Sequence, residues 1–143
     1  MNIDFAIGLH IVGFLAANKG ELVSSAVMAK SFGTSPVVLR RVLSRLNQAG
    51  LVETRRGANG GSTLAREAEQ INLKEVYESA CAAPELFVRH PEGSEATSSI
   101  LGGYINEIYD KAEQEMLRHL ETKSVAHMDA VVRPKIMAAL KCK

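Results

Sequence analysis

The chain has 143 residues, 46% of them hydrophobic, and a formal net charge of only +1, which predicts one globular domain or one domain with an appendage. Its two cysteines, Cys81 and Cys142, are too few for a disulfide framework and suit a reducing compartment. The sequence has no signal-peptide pattern and no apolar run long enough to cross a bilayer. We therefore expect a cytoplasmic protein without membrane contact.

The first helix is predicted over residues 3–18, a segment that is apolar almost all round and therefore typical of a buried helix. Gly8 and Gly13 lower its helix propensity, but each would allow a neighbouring helix to approach closely. His10 is a candidate sensor or ligand, and the alternative that the apolar context favours is a hydrogen-bonded structural histidine. We expect this helix to support the next two from behind.

Two short helices joined by a tight turn are predicted within residues 24–49. Ser24 suits the N-cap of the first helix, and Gly33 suits the backbone conformation that ends it. Ser35 caps the second helix, and Pro36 fits its first turn. The second helix has a buried stripe and an arginine-bearing exposed face, which is typical of a recognition helix in the DNA major groove. The stripe consists of Leu39, Val42, Leu43 and Leu46, and the exposed face of Val37, Arg40, Arg41, Ser44 and Gln48.

A small hairpin is predicted next, with strands at 51–56 and 62–65 around a glycine-rich turn at 57–61. A helix-turn-helix followed by a hairpin is the layout of a winged helix, so the predicted fold class is mainly α with a hairpin wing. Between residues 35 and 66 six arginines and one acid, Glu53, give a local charge of +5. Such a patch supplies the salt-sensitive phosphate contribution to DNA binding, and a merely solvated helix face is the alternative.

A connecting part follows the hairpin. After a polar linker at 67–70, Asn72 is expected to cap a helix over residues 73–83. The apolar run at 85–88 is predicted as a strand or a helical turn. Residues 90–98 contain proline and glycine and are predicted as a loop.

A long helix is predicted over residues 99–121, because apolar residues recur there at spacings of three and four. So small a DNA-binding unit cannot cover the whole stripe. Pairing with the same helix of a second chain would cover it in a two-fold homodimer, and packing within one chain is the alternative. The residues predicted to form the dimer seam are Leu101, Ile105, Ile108, Ala112 and Met116.

A further short helix is expected around residues 129–140, with Pro134 limiting it. It would pack on the dimer seam or be partly disordered. The elements together predict three parts: a DNA-binding domain at 1–66, a connecting helix and loop at 67–98, and a dimerisation helix with its tail at 99–143.

These segments resemble the Rrf2 family of bacterial winged-helix transcription regulators. TSPVVLRRVLSRLNQAGLVETRRG is similar to the family's recognition helix and first wing strand, GANGGSTLAR to its wing, and INLKEVYESA to the helix after the wing. Ser62 departs from the pattern, since an aromatic residue is usual there. The resemblance covers roughly residues 3–120 and implies a homodimeric repressor or activator on a partly palindromic operator, of which we expect the repressor. Position by position, it implies DNA contacts by Ser35, Val37, Val38, Arg40, Arg41, Arg56, Asn59 and Gly60.

Cofactor use is where the sequence departs from part of the family. Several members hold an iron–sulfur cluster on three closely spaced cysteines before the long helix, whereas residues 90–103 contain no cysteine. The chain is therefore similar to a cysteine-poor subgroup, and we predict no cluster and no other cofactor. Cys81 is a candidate redox switch, with a buried, inert thiol as the favoured alternative. The histidines match no strong ligand spacing, so no metal site is predicted.

The predicted function is sequence-specific binding of double-stranded DNA in transcription regulation, in response to an unidentified small-molecule or protein effector. One alternative is a winged-helix module that binds an acidic protein partner instead of DNA. Another is a redox or small-molecule sensor that acts through a protein partner. An enzyme is not predicted, because the glycine loop at 57–61 joins two strands rather than opening a helix, and no nucleophile or carboxylate pair is recognisable.

Overall fold

A computed structural model describes residues 3–83, 87, 89 and 95–141. Three helices come first: α1 (Ile3–Ala17), α2 (Ser25–Phe32) and α3 (Pro36–Gln48). A hairpin of β1 (Val52–Arg55) and β2 (Gly61–Leu64) follows, and a 3-10 turn at Ala68–Gln70 leads into the second half. That half contains α4 (Leu73–Ala80), α5 (Ala96–Glu121) and α6 (Val125–Lys141). The fold class predicted from the sequence, a mainly helical winged helix-turn-helix with a long C-terminal helix, is confirmed.

The helix ends follow the capping residues that the sequence predicts. The Ser24 hydroxyl accepts a hydrogen bond from the Val27 amide at 3.3 Å, and Gly33 ends α2 in the left-handed conformation with φ of 62°. Ser35 caps α3 in the same way, with its hydroxyl 3.3 Å from the Val37 amide nitrogen. Local sequence therefore fixes the turn between α2 and α3.

The wing is tied to the helix-turn-helix by a third segment. Strands β1 and β2 are antiparallel, with Val52 opposite Leu64 and Arg55 opposite Gly61. Val23, just before α2, exchanges two backbone hydrogen bonds with Ser62 of β2, at 3.0 and 2.8 Å. Strand β1 is one residue shorter at each end than the predicted 51–56, and β2 lies one residue earlier than the predicted 62–65. The bridge holds the hairpin at a defined distance from the start of α2.

One hydrophobic core joins helices from both halves of the chain. Fully buried side chains from α1, α3, α4 and α6 meet in it, which confirms that α1 lies behind the helix-turn-helix. α1 and α4 are in close contact at Gly8, where an added Cβ would lie 2.9 Å from the Cβ of Ala80. The fully buried members include Ile11, Leu39, Leu46, Val76 and Val125.

The C-terminal segment differs from the prediction for 129–140. Its helix begins at Val125 and continues past Pro134, so the expected limit at the proline was wrong. A local cap and two tertiary contacts set the start. The Ser124 hydroxyl accepts from the His127 amide at 3.0 Å. The Leu73 amide donates to the Lys123 carbonyl and the Val125 amide to the Ile71 carbonyl, both at 2.8 Å. Proline removes only one backbone hydrogen bond, and the helix continues on both sides of it.

Two other boundaries also moved. α4 ends at Ala80 rather than near residue 83, and α5 begins at Ala96 rather than 99, which brings part of the predicted loop into the helix. Of the predicted apolar run at 85–88, only residue 87 is described. The first part of the predicted loop, residues 90–94, lies outside the described residues. None of the helices in the described ranges is long and apolar enough to cross a membrane.

Candidate nucleic-acid interface

A groove of about 530 Å³ lies between α3, the start of α2 and the hairpin. Three arginines and several small polar residues line it, and they come from three successive parts of the chain. α3 contributes Arg40, Ser44 and Asn47, the hairpin contributes Arg55 and Arg56, and the start of α2 contributes Ser24. The exposed face of the predicted recognition helix and the wing therefore open onto a common space.

The arginines of the basic segment divide into two groups. Arg40 and Arg56 are exposed and form no ion pair with any side chain in the described ranges, and Arg55 lies 3.9 Å from Glu53 in a loose surface pair. Exposed ion pairs of this kind are weak, because solvent screens them. These three side chains leave the groove strongly positive.

The second group is held by acids on other elements. Arg41 donates to Asp4 of α1 at 2.7 Å and Arg45 donates to the same carboxylate at 2.8 Å. Arg66, beyond β2, donates to Glu75 of α4 at 2.6 Å. The local charge of +5 thus overstates the positive charge that faces the groove.

The other residues implied as DNA contacts occupy different environments. Val37, in the first turn of α3, is 68% exposed, whereas Val38 is half-buried and packs partly against the core. The Ser35 hydroxyl is engaged as the cap of α3. Asn59 is exposed in the hairpin turn. A Cβ at Gly60 would collide with the Arg55 carbonyl oxygen, so the turn requires glycine there.

The predicted dimer stripe on α5 is largely uncovered in the isolated chain. Leu101 is 56% exposed and Ile108 47% exposed, while Ile105 and Met116 are half-buried and Ala112 is exposed. Tyr104 is exposed on the same face. α6 adds further exposed apolar side chains: Val131, Val132, Ile136, Met137 and Leu140.

Cys81 caps the C-terminal end of α4 and is buried. Burial raises the pKa of its thiol, and the nearby negative charge of Asp4 raises it further. A raised pKa lowers the fraction of reactive thiolate at neutral pH. No group of three or more histidine, cysteine or acidic side chains suited to a metal is found in the described ranges, and Cys142 lies outside them.

The role of Asp4 as the partner of two α3 arginines is what the sequence analysis missed. Asp4 interrupts the apolar first helix, which indicates a buried charge in need of a partner. Its partners are 37 and 41 residues away, so no local pattern identifies them. An acid inside an apolar helix combined with an arginine-rich helix of the same domain was the available signal.

Comparison with known proteins supports the fold and the class of function. The Rrf2 family model, described as an iron-dependent transcriptional regulator, matches residues 1–130. YwnA of Bacillus subtilis (strain 168), assigned as an HTH-type transcriptional regulator, is 30% identical over 127 residues, 87% of this chain and 93% of YwnA. The HTH-type transcriptional regulator NsrR of the same organism is 42% identical over 69 residues, 48% of this chain and 47% of NsrR. The structure of CymR, the global cysteine regulator of B. subtilis, matches with a TM-score of 0.70 at 23% identity, over 92% of this chain and 96% of CymR, which establishes a shared fold.

Proposed function

Because this chain belongs to the Rrf2 family of transcriptional regulators, we propose that it represses transcription as a homodimer bound to a partly palindromic operator. The family consists of DNA-binding regulators and not of enzymes. We place its action in the cytoplasm, where bacterial DNA is found. DNA binding is assigned to residues 1–66 and dimerisation to 99–143, with 67–98 connecting them.

The observation that carries this proposal is the groove between α3 and the hairpin. Arg40 and Arg56 reach it from opposite walls without an acidic partner in the described ranges, so both are available to phosphates or base edges. An arginine fork can pair with a guanine edge, and the exposed Val37 can contact a thymine methyl group. The amides at the start of α3, next to Ser35, suit a phosphate. In the hairpin turn, Asn59 and Gly60 allow close approach to the DNA backbone.

The exposed stripe on α5 supports the proposed homodimer. Side chains as large as Leu101, Tyr104 and Ile108 are exposed along one side of a 26-residue helix. Burying them against the same helix of a second chain removes apolar surface from water. A two-fold axis would also present two recognition helices, which is the arrangement that a palindromic operator requires.

We propose that this member works without an iron–sulfur cluster, although the family model is described as iron-dependent. Cluster irons are held by cysteine thiolates, and this chain has only two cysteines. Cys81 is buried at a helix end with a raised pKa, which does not fit a thiolate ligand. The effector is therefore proposed to be a small molecule or a protein rather than iron bound through a cluster.

The test of DNA binding is a titration of a random-sequence duplex at salt concentrations from about 50 to about 200 mM. The logarithm of the binding constant should fall by about 0.9 per tenfold rise in salt for each phosphate contact. The double variant Arg40→Ala, Arg56→Ala should reduce this slope by about 1.8 per protomer. Selection of duplexes from a random pool should then return a sequence with two-fold symmetry.

A matched control removes two arginines elsewhere. Arg118 and Arg133 are exposed on α5 and α6, where each pairs with an acid of its own helix. Arg118→Ala, Arg133→Ala changes the charge equally and should leave the slope unchanged. Equal slopes for all three proteins, or no duplex binding by the wild type, would contradict the proposal and favour an acidic protein partner.

Dimerisation is tested separately by sedimentation. Ile105→Glu, Ile108→Glu places two charges in the proposed seam and should give monomers that no longer bind the selected duplex. Lys111→Gln, Gln114→Glu changes the charge equally at exposed positions of α5 and should stay dimeric. A stable dimer of the first variant would show that α5 is not the seam.

A further inference from the structure

Asp4 is a charged residue on the side of α1 that faces the protein interior. It is only 8% exposed, between the apolar side chains that fix α1 against the core. A carboxylate in such a place requires charged partners, since burial of an unpaired charge is strongly unfavourable. Its oxygens accept from two arginines of the recognition helix, Oδ1 from Arg41 and Oδ2 from Arg45.

The two arginines are four residues apart and therefore lie one above the other on the side of α3 that faces α1. Arg45 also donates to the Ala80 carbonyl, at the end of α4, at 2.9 Å. Asp4 and the α4 terminus thus hold α3 through fixed polar contacts as well as through its apolar stripe. Contacts with this directionality restrict rotation of α3 about its own axis, which apolar packing does less strictly.

The two arginines differ in what else they can reach. The Arg45 side chain is 27% exposed, whereas that of Arg41 is 50% exposed. Arg41 lies at the edge of the exposed face, beside the positions of Val37 and Ser44 on the helix surface. Its guanidinium therefore contacts both the buried carboxylate and the solvent in front of α3.

We infer that Asp4 is a positioning residue for DNA recognition, which fixes the rotation of α3 and restrains Arg41 at one place on the DNA-facing surface. This inference rests on the proposed function. The Asp4 carboxylate offsets the charge of Arg41 and so weakens its attraction to the phosphates of any DNA sequence. It also holds the Arg41 side chain in one position relative to the operator. Removal of the carboxylate should therefore strengthen binding to arbitrary DNA and weaken the preference for the selected sequence.

The first experiment compares Asp4→Asn with the wild type on a random-sequence duplex. The asparagine keeps the size of the side chain and removes the charge, so Arg41 becomes available to phosphates. The salt slope should become steeper by about 0.9 per protomer, which is about a threefold greater loss of affinity between 50 and 200 mM salt. Adding Arg41→Gln to Asp4→Asn should return the slope to the wild-type value.

The matched control is Glu67→Gln. Glu67 also pairs with a cation of the first 66 residues, Lys19, at 2.6 Å, but both side chains are largely exposed. This variant loses the same charge without releasing Arg41, and its slope should equal that of the wild type. A purely structural role of Asp4 would lower binding to every duplex together with thermal stability, and it would not steepen the slope.

The second experiment measures the ratio of affinities for the selected and the random duplex. This ratio should fall about tenfold in Asp4→Asn, because Arg41 is no longer held at one base pair. If Asp4→Asn does not fold, single substitutions in the wild type decide the question. Arg41→Gln should then leave the slope on random duplex unchanged, whereas Arg40→Gln should reduce it by about 0.9 per protomer.

The inference is overturned if Asp4→Asn folds with an unchanged slope and ratio, or if Arg41→Gln and Arg40→Gln reduce the slope equally. Either result leaves the proposed function intact. Failure of the wild type to bind any duplex would instead contradict the proposed function. The two outcomes are therefore distinguishable.

Discussion

Gly8 and Gly13 lie on the same helix, and the structure predicts opposite effects when each is replaced by alanine. An added Cβ at Gly8 would lie 2.9 Å from the Cβ of Ala80 and 3.3 Å from a methyl of Val76. Both neighbours are fully buried on α4, and the Cβ of Ala80 is fixed by the backbone. At Gly13 the Cβ would lie 3.1 Å from the terminal methyl of Met128, a flexible side chain of α6 that can move.

The magnitudes follow from two opposing contributions. Replacing glycine by alanine within a helix stabilises it by about 1 kcal/mol at either position. Relieving the contact at Gly8 requires α1 and α4 to separate by roughly 1 Å, and such overpacking costs about 1–3 kcal/mol. Gly8→Ala should therefore lower the free energy of unfolding by about 1 kcal/mol, whereas Gly13→Ala should raise it by up to about 1 kcal/mol.

Equilibrium urea unfolding at one protein concentration measures both variants, since dimerisation makes stability depend on concentration. The corresponding shifts in Tm are about 3 °C downward and up to about 3 °C upward. Equal stabilisation of the two variants would refute the conclusion that α1 and α4 are in contact at Gly8. Displacement of α4 would also move the Ala80 carbonyl from Arg45, so Gly8→Ala should weaken duplex binding and Gly13→Ala should not.

Three further predictions concern the wing and two titratable groups. Gly61→Ala should cost about 1–3 kcal/mol and weaken duplex binding with little change in helical circular dichroism, because the new Cβ would lie 2.9 Å from the Val23 backbone; unchanged binding would contradict the role of this bridge. Burial opposes ionisation of Glu75, but the hydrogen bond from Arg66 holds the pKa of this carboxyl below the ordinary 4.5. The free energy of unfolding should therefore fall as the pH drops below about 4.5. Urea unfolding at pH 3.5 and 7 should show a smaller loss in Glu75→Gln than in the wild type. The pKa of the Cys81 thiol is raised above the ordinary 9.0, so the thiol of the unfolded chain ionises first. The free energy of unfolding should therefore fall as the pH rises above about 9, and Cys81→Ala should lessen that loss. An identical pH profile for the variant and the wild type would contradict this prediction.

Local patterns in the sequence predicted the helix-turn-helix well. The apolar stripe of α3, its cap at Ser35 and the end of α2 at Gly33 depend on residues within a few positions of one another. The wing was predicted from a glycine-rich turn between two short strands, and only the strand ends differ, by one residue each. These features are encoded by neighbours, so a single sequence suffices to find them.

The parts that were wrong or missed depend on contacts between distant residues. Val125 pairs with Ile71 and is buried in the core, and no local pattern predicts this distant contact. The start of α6 also had a local signal that the sequence analysis did not use, since the Ser124 hydroxyl accepts from the His127 amide as an N-cap. The partners of Asp4 on α3 are likewise set by the tertiary fold. Among the predicted DNA contacts, the sequence did not separate Arg40, which faces the groove, from Arg41, which is held by Asp4.

The two backbone hydrogen bonds that join the start of α4 to the junction of α5 and α6 have a consequence for biosynthesis. The winged helix leaves the ribosome long before residue 125, yet its core is completed by the Val125 side chain and by the hydrogen bonds at Leu73 and Ile71. A nascent chain that lacks α6 therefore leaves part of the hydrophobic core exposed to solvent. We therefore expect the proposed DNA binding to require a chain that extends through residue 125 into α6.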